Sequence, residues 1–264
     1  MEGYLQRFTN AYEVLARYYD ELMDEVDYES WCDYVLNLVE SAGVFGRSDT
    51  TLGSILTSQG ESSASAVALD QLGGQRVLDL ACGTGEFSYR LQQRGLKVTA
   101  VDISSEMLAI AETKARDRGL RIQFVQQDMR YLELPEAYDL VLCLCDSLNY
   151  LLKPEDLKAT FNGVVKALKP GGQFVFDINT EHKLSSVYGN HTYAADLESV
   201  AFIWENEYQP DTGLCYMDLA FFVPVLVSER QETDSKAGLF EKLTETHVQR
   251  AFPSDLTDEL LRTA

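Results

Sequence analysis

The chain has 264 residues, a length that suits one well-packed domain with an elaboration, or two small ones. Hydrophobic residues make up 45% and charged residues 24%, which excludes a wholly disordered or fibrous chain. With 22 Lys and Arg against 42 Asp and Glu, the formal charge of −20 repels phosphate backbones and argues against nucleic acid as a partner.

The opening Met1-Glu-Gly-Tyr-Leu5 carries no basic stretch and no apolar run, so no secretory leader is expected. The strongest apolar run, Leu219–Val227, contains Pro224 and is far shorter than the roughly 20 residues of a membrane span, so no membrane partner is expected. The five cysteines are odd in number and form no Cys-x-x-Cys unit, which predicts a reducing cytoplasm and no metal site. Cys143 and Cys145 alternate in an apolar run and predict two buried thiols on one face of a strand.

Apolar residues at helical spacing (Leu5, Phe8, Tyr12, Leu15, Tyr19, Leu22) predict a helix over 4–24, and Tyr28–Val44 predicts a second. Together they define an N-terminal helical region, 1–45. The Ser-, Thr- and Gly-rich stretch that follows has no periodicity and predicts a flexible loop over 46–75. Strands are then expected at 76–81, 97–102, 121–126, 138–145 and 172–178, alternating with helices at 86–94, 104–118 and 155–168. Ser104 is placed to cap its helix, and Lys169-Pro-Gly-Gly172 to stop the last one. Such alternation means right-handed crossovers and a doubly wound, mostly parallel α/β sheet over 76–180. Beyond it, strands at 199–208, 214–227 and 240–252 predict an antiparallel meander within 181–252, followed by a short helix at 253–264.

Polar residues fall where those strands end. Val77-Leu-Asp79-Leu-Ala81-Cys-Gly83-Thr-Gly85 joins the first strand to a helix, and its two glycines let the backbone approach a ligand closely. Asp102 ends the second strand, 17 residues beyond Gly85, where a carboxylate can accept both hydroxyls of a ribose. Asp128 ends the third strand, and Asp146-Ser-Leu-Asn149-Tyr150 follows the fourth. In an open parallel sheet these ends share one edge, and ligands bind where the strand order reverses. A dinucleotide fingerprint wants a third glycine where this chain has Ser88, and Glu86 would compete with a pyrophosphate at the helix N-terminus. A nicotinamide-dependent oxidoreductase is therefore the weaker alternative.

VLDLACGTGEF, VTAVDISSEML, QQDMRYLEL, CDSLNYL and LKPGGQFVFDI, in this order and spacing, resemble the class I S-adenosylmethionine-dependent methyltransferases, which have a Rossmann-like fold. The likeness covers about residues 8–262 apart from the Ser-rich loop, and is greatest to small bacterial members with an N-terminal YD-x-LM helix. It implies S-adenosyl-L-methionine as cofactor and methyl transfer to an N or O atom of a small-molecule acceptor. The resemblance implies that Asp79, Gly83, Gly85 and the backbone of Ala81 cradle the methionine part and that Asp102 holds the ribose. It likewise sets Ile103 and Met107 against the adenine and gives its amino group to Asp128, beside the backbone of Met129. The carbonyl of Cys145 would lie near the amino acid end, and Tyr19 near the cofactor.

Because a sulfonium already activates its methyl group, catalysis asks mainly for an aligned acceptor, plus a base if that acceptor must lose a proton. Asp146, Asn149 and Tyr150 are the candidates for orienting it. Structural readings stand beside these: Asp79 holding the glycine loop, Asn149 and Tyr150 forming a helix-start turn, Trp204 and Phe222 packing in a strand core. His247 reads as structural, with a general-base role as the alternative, and the acidic run Glu13–Glu29 reads as solvated. A non-catalytic cofactor-binding protein of the same fold is a further alternative. The family normally adds two strands after its last helix, and 254–264 supplies the helix but nothing beyond it: either the natural chain continues, or the fifth strand lies at an exposed edge and invites a homodimer.

Overall fold

The computed structural model describes residues 12, 14–41, 74–135, 137–225 and 239–264. Leu5, Phe8, Glu13, the Ser-rich loop up to residue 73 and residues 226–227 of the expected meander lie outside the described residues. The chain forms two compact units. One comprises 26–144 and 159–176; the other comprises the residues up to 25 together with 145–158 and 177–264.

The first unit contains helix α2 (Tyr28–Ser41), β1 (Arg76–Leu80), α3 (Glu86–Gln93), β2 (Lys97–Asp102), α4 (Ser105–Asp117), β3 (Gln123–Gln126), β4 (Tyr138–Cys143), most of α5 (Pro154–Ala167) and β5 (Leu168–Phe176). Its sheet has the order β3-β2-β1-β4-β5, every pairing parallel. The central strands read as unbroken apolar runs because both faces are covered: Leu78, Leu80, Leu140, Val141 and Leu142 are all fully buried. The Ser104 hydroxyl accepts the Met107 N–H at 3.1 Å and caps α4, as its position in the sequence predicts. Of the acidic run, Glu29 stays exposed yet pairs with Arg94 and Arg90, and Asp33, beyond the run, pairs with Arg94 at 2.8 Å.

Two expectations need correction. The strand after α5 begins at Leu168, four residues early, with a register shift between Tyr138 and Leu140. Gly171 adopts φ +82, and among the described residues β5 pairs only with β4, so Pro170 costs no hydrogen bond to a second described strand. In addition, β4 ends at Cys143, and Cys145 lies beyond it at φ +59, partly exposed; the two thiols therefore do not share a strand face.

The second unit contains α1 (Leu15–Leu22), β6 (Thr192–Asp196), β7 (Ala201–Gln209), β8 (Leu214–Pro224), β9 (Phe240–Arg250) and α6 (Ser254–Arg262). The sheet is an antiparallel β6-β7-β8-β9 meander of four strands, where the sequence predicts three. β6 buries none of its five residues, so it leaves no alternation to read. Along β8, Cys215, Met217, Leu219 and Phe221 are buried at every second position and build the core with Leu15, Leu184 and Val200. Trp204 packs against that core and contacts Tyr188 and Tyr193, in keeping with its structural reading. A π-helical turn at Lys183–Tyr188 has no counterpart in the sequence expectations.

Candidate functional site

At the carboxyl edge of the parallel sheet, polar groups of β1 and β2 are tied together through backbone. Asp102 is 8% exposed; its Oδ2 accepts the Gly83 N–H at 2.8 Å and its Oδ1 accepts the Ser104 N–H at 2.9 Å. Burial raises its pKa, opposed by those N–H groups and that of Ile103. The carboxylate still has acceptor capacity for a further donor. Beside it, Ile103 is 57% exposed, an apolar surface next to a buried charge. The loop after β1 turns through Ala81 (φ +60), Gly83 (φ +54) and Gly85 (φ +83). A Cβ at Gly83 would meet nothing within 4 Å, whereas one at Gly85 would press on Ala111 Cβ at 3.1 Å. Gly83 thus leaves open backbone at the edge, and Gly85 lets the loop settle onto α4.

The other acids of this edge have partners of their own. Asp79 is buried, its Oδ2 accepting the Ser88 hydroxyl at 2.5 Å, and burial pushes its pKa to about 6. Asp128 accepts the Arg130 N–H at 2.9 Å and the Arg130 guanidinium, which outweigh burial and hold its pKa down. Met129 opens the 3₁₀ turn that Asp128 caps, and Met107 is only 2% exposed. Burial works against the charge of Glu86, yet hydrogen bonds from Lys114 and Arg90 hold it ionised. With two cations on it, Glu86 exerts less repulsion at the α3 N-terminus than its position in the sequence suggests.

In the second unit, Cys145 and Asp146 follow one another at φ +59 and +51, a costly backbone pair for non-glycine residues. Asp177 Oδ2 accepts the Asp146 N–H at 2.9 Å, while Asp177 Oδ1 is buried with no hydrogen-bond partner among the described residues. The Asp146 carboxylate accepts from Gln249, and its pKa is pushed to about 6 by burial and secondarily by Asp177. Asn149 is fully committed. Its Nδ2 donates to the carbonyls of Asn179 and Arg250, at 3.0 and 2.9 Å, and its Oδ1 accepts the Asn179 N–H at 2.7 Å. Tyr150 Oη lies 3.2 Å from His247 Nδ1, and Tyr12 packs edge-on against that imidazole, with Tyr19 edge-on to Tyr12.

A crystal structure of an S-adenosylmethionine-dependent methyltransferase from Clostridium acetobutylicum ATCC 824 superposes with a TM-score of 0.71 at 31% identity, covering 95% of this chain and 86% of the other. A Bacillus subtilis (strain 168) protein provisionally named methyltransferase YqeM is 32% identical over 252 residues, 95% of this chain and 84% of its own. A methyltransferase-domain family profile matches residues 77–172. This chain belongs to the S-adenosylmethionine-dependent methyltransferases. The nicotinamide and non-catalytic alternatives give way to an enzyme whose methyl donor is S-adenosylmethionine. The fold alone is also shared with the S-adenosylmethionine-bound amino pentose methyltransferase CalS10 of Micromonospora echinaspora, at 19% identity and a TM-score of 0.63. The donor set fits this methyltransferase's nucleoside: a buried carboxylate with spare acceptor capacity, an open glycine backbone and an exposed apolar side chain converge at one sheet edge.

Among the described residues no helix is long and apolar enough to cross a membrane, and no three His, Cys, Asp or Glu side chains cluster as a metal site would require. The structure brings Asp79, Ala81, Gly83, Gly85, Asp102 and Ile103 to one edge and spends Asp128 and Asn149 on internal partners. Sequence reasoning gave no role to Glu245, Gln249 or Asp177, which bond Tyr12 across 233 residues, Asp146 across 103 and Asp146 across 31. The available signal was the alternation of Glu245, His247 and Gln249 on one strand face.

Proposed function

We propose that this methyltransferase moves a methyl group to a nitrogen or oxygen of a small molecule, with Asp102 accepting the ribose hydroxyls of the donor. The observation that carries the nucleoside side is the Asp102 carboxylate, fixed by backbone N–H groups of Gly83 and Ser104 and still able to accept. Ile103 offers its exposed side chain to the adenine, and the buried Met107 of α4 is assigned to the same base. Gly83 and Gly85, with the backbone of Ala81, take the methionine end. Asp79 holds this loop through Ser88. Asp128 and the Met129 backbone remain assigned to the adenine amino group, a role that requires Arg130 to release the carboxylate. Bound S-adenosylmethionine supplies a methyl group activated by its sulfonium.

On the acceptor side, Asp146 and Tyr150 carry the polar groups that orient the nucleophile, and Asn149 braces the turn beneath them. A carboxylate titrating at about 6 is suited to hold an amine or hydroxyl near neutral pH. The surface charge of −20 supports an acceptor that is not a nucleic acid. Incubating the protein with methyl-labelled S-adenosylmethionine and a small-molecule metabolite extract tests this reading. Label in a small molecule, on N or O, is expected; label found only in added RNA or DNA would refute it.

A further inference from the structure

The second unit holds a row of ionisable side chains that donor binding does not use. Glu245 and His247 stand two residues apart on β9, 8% and 2% exposed. Glu245 Oε1 lies 2.8 Å from His247 Nε2, an ion-pair contact without hydrogen-bond alignment, and His247 Nδ1 lies 3.2 Å from Tyr150 Oη. Tyr150 is partly exposed as a residue, whereas Glu245 and His247 are buried, so Tyr150 is the member of the row nearest solvent. Glu245 also accepts the N–H groups of Val14 and Leu15, each at 3.0 Å, and that of Tyr12. Burial opposes its ionisation, but His247 and these N–H groups outweigh burial and keep it charged. An anion beside Nε2 places the neutral ring's proton there and leaves Nδ1 as the acceptor toward the Tyr150 hydroxyl.

We propose that Glu245, His247 and Tyr150 form a proton relay that deprotonates the methyl acceptor, Tyr150 touching it and the other two acting through Tyr150 as positioning residues. This deepens the reading of the acceptor as an N or O nucleophile and rests on it. The acceptor's proton bonds to Tyr150 Oη as the phenol's own proton bonds to His247 Nδ1. The electrons of the broken bond stay on the acceptor atom as its nucleophilic pair. The imidazolium charge is balanced by Glu245, and its proton returns through Oη to water after the product leaves. The acceptor is then an alcohol, a phenol or a protonated amine, which has a proton to lose, rather than a sulfide or a free tertiary amine. Tyr12, Asp146 and Gln249 face Tyr150, Tyr12 faces the imidazole, and Asp146 in turn faces Asp177 and Lys183.

The test is a histidine-selective ¹⁵N NMR titration of the full chain, wild type against Tyr150→Phe, which keeps the ring and removes the hydroxyl. Loss of the donor to neutral Nδ1 is expected to move that nitrogen's resonance toward the position of a pyridine-type nitrogen without a hydrogen bond. An Nδ1 resonance unchanged by the substitution overturns the relay, because Tyr150 then does not donate to Nδ1. In parallel, Tyr150→Phe and His247→Ala are expected to cut label transfer from methyl-labelled S-adenosylmethionine into the metabolite extract by about 100-fold or more. Both are expected to bind S-adenosylhomocysteine as the wild type does, and added imidazole is expected to restore His247→Ala but not Tyr150→Phe. Wild-type transfer rates in either variant overturn the relay alone. If the wild type itself transfers no label to a small molecule, the small-molecule reading falls, and the titration still decides whether Tyr150 donates to His247.

Discussion

The two units hold their polar groups by different means. In the parallel unit, the key contacts run over short sequence distances and engage backbone: Asp102 with Ser104 two residues away and Gly83 nineteen away. In the antiparallel unit, they join side chains to partners very far along the chain: Glu245 to Val14 across 231 residues, Asn149 to Arg250 across 101, Tyr150 to His247 across 97. A site built on strand-end turns is specified locally and tolerates change elsewhere. One built on long-range side-chain contacts depends on several elements at once, and losing one member leaves several groups unsatisfied.

The sharpest way to break this contrast is Glu245→Ala. It leaves the N–H groups of Val14 and Leu15 without their acceptor and removes the anion beside the buried imidazole, and is expected to destabilise the protein by about 3–5 kcal/mol in urea unfolding. A loss under about 1 kcal/mol would show that the long-range network is not what holds α1.

Asp79 tests the parallel unit by pH. Burial raises its pKa from 3.8 to about 6, so the folded state binds this proton more tightly than the unfolded state, and the associated stability is lost as pH rises through that window. Asp79→Asn removes the effect. The variant is expected to gain on the order of 3 kcal/mol relative to wild type between about pH 4 and 7, read by denaturant melts across pH. A parallel pH dependence of the two proteins would contradict the buried, protonated acid.

The glycine loop gives the smallest and most local effect. Gly85→Ala meets both φ +83 and Ala111 Cβ at 3.1 Å, while Gly83→Ala meets only φ +54. Costs of about 1–3 and about 1 kcal/mol are expected in thermal melts, with Gly85→Ala always the larger. The reverse order would mean that the loop does not rest on α4.

This division also sets what could be read in the sequence. The alternation of strands and helices over 76–176 was legible because buried parallel strands are apolar runs and Ser104 and the glycines mark their boundaries. The strand-end acids followed from position alone. β6 was not legible, since its side chains face outward, and neither was the early start of β5, because a Pro-Gly-Gly stretch signals a stop even where an edge strand accommodates it. His247 reads as structural until Glu245 and Tyr150 are brought beside it by β9 and the turn after β4. The spent state of Asp128 depends on one arginine rotamer, which no pattern encodes.

The central claim is that Asp102 binds the donor's ribose. Isothermal titration of S-adenosylhomocysteine into wild type and Asp102→Asn tests it most directly, since asparagine keeps the shape but loses charge and an acceptor. The account predicts clear binding to the wild type and an affinity lower by at least about 10-fold in the variant. Equal affinities, or no heat with the wild type, would contradict it.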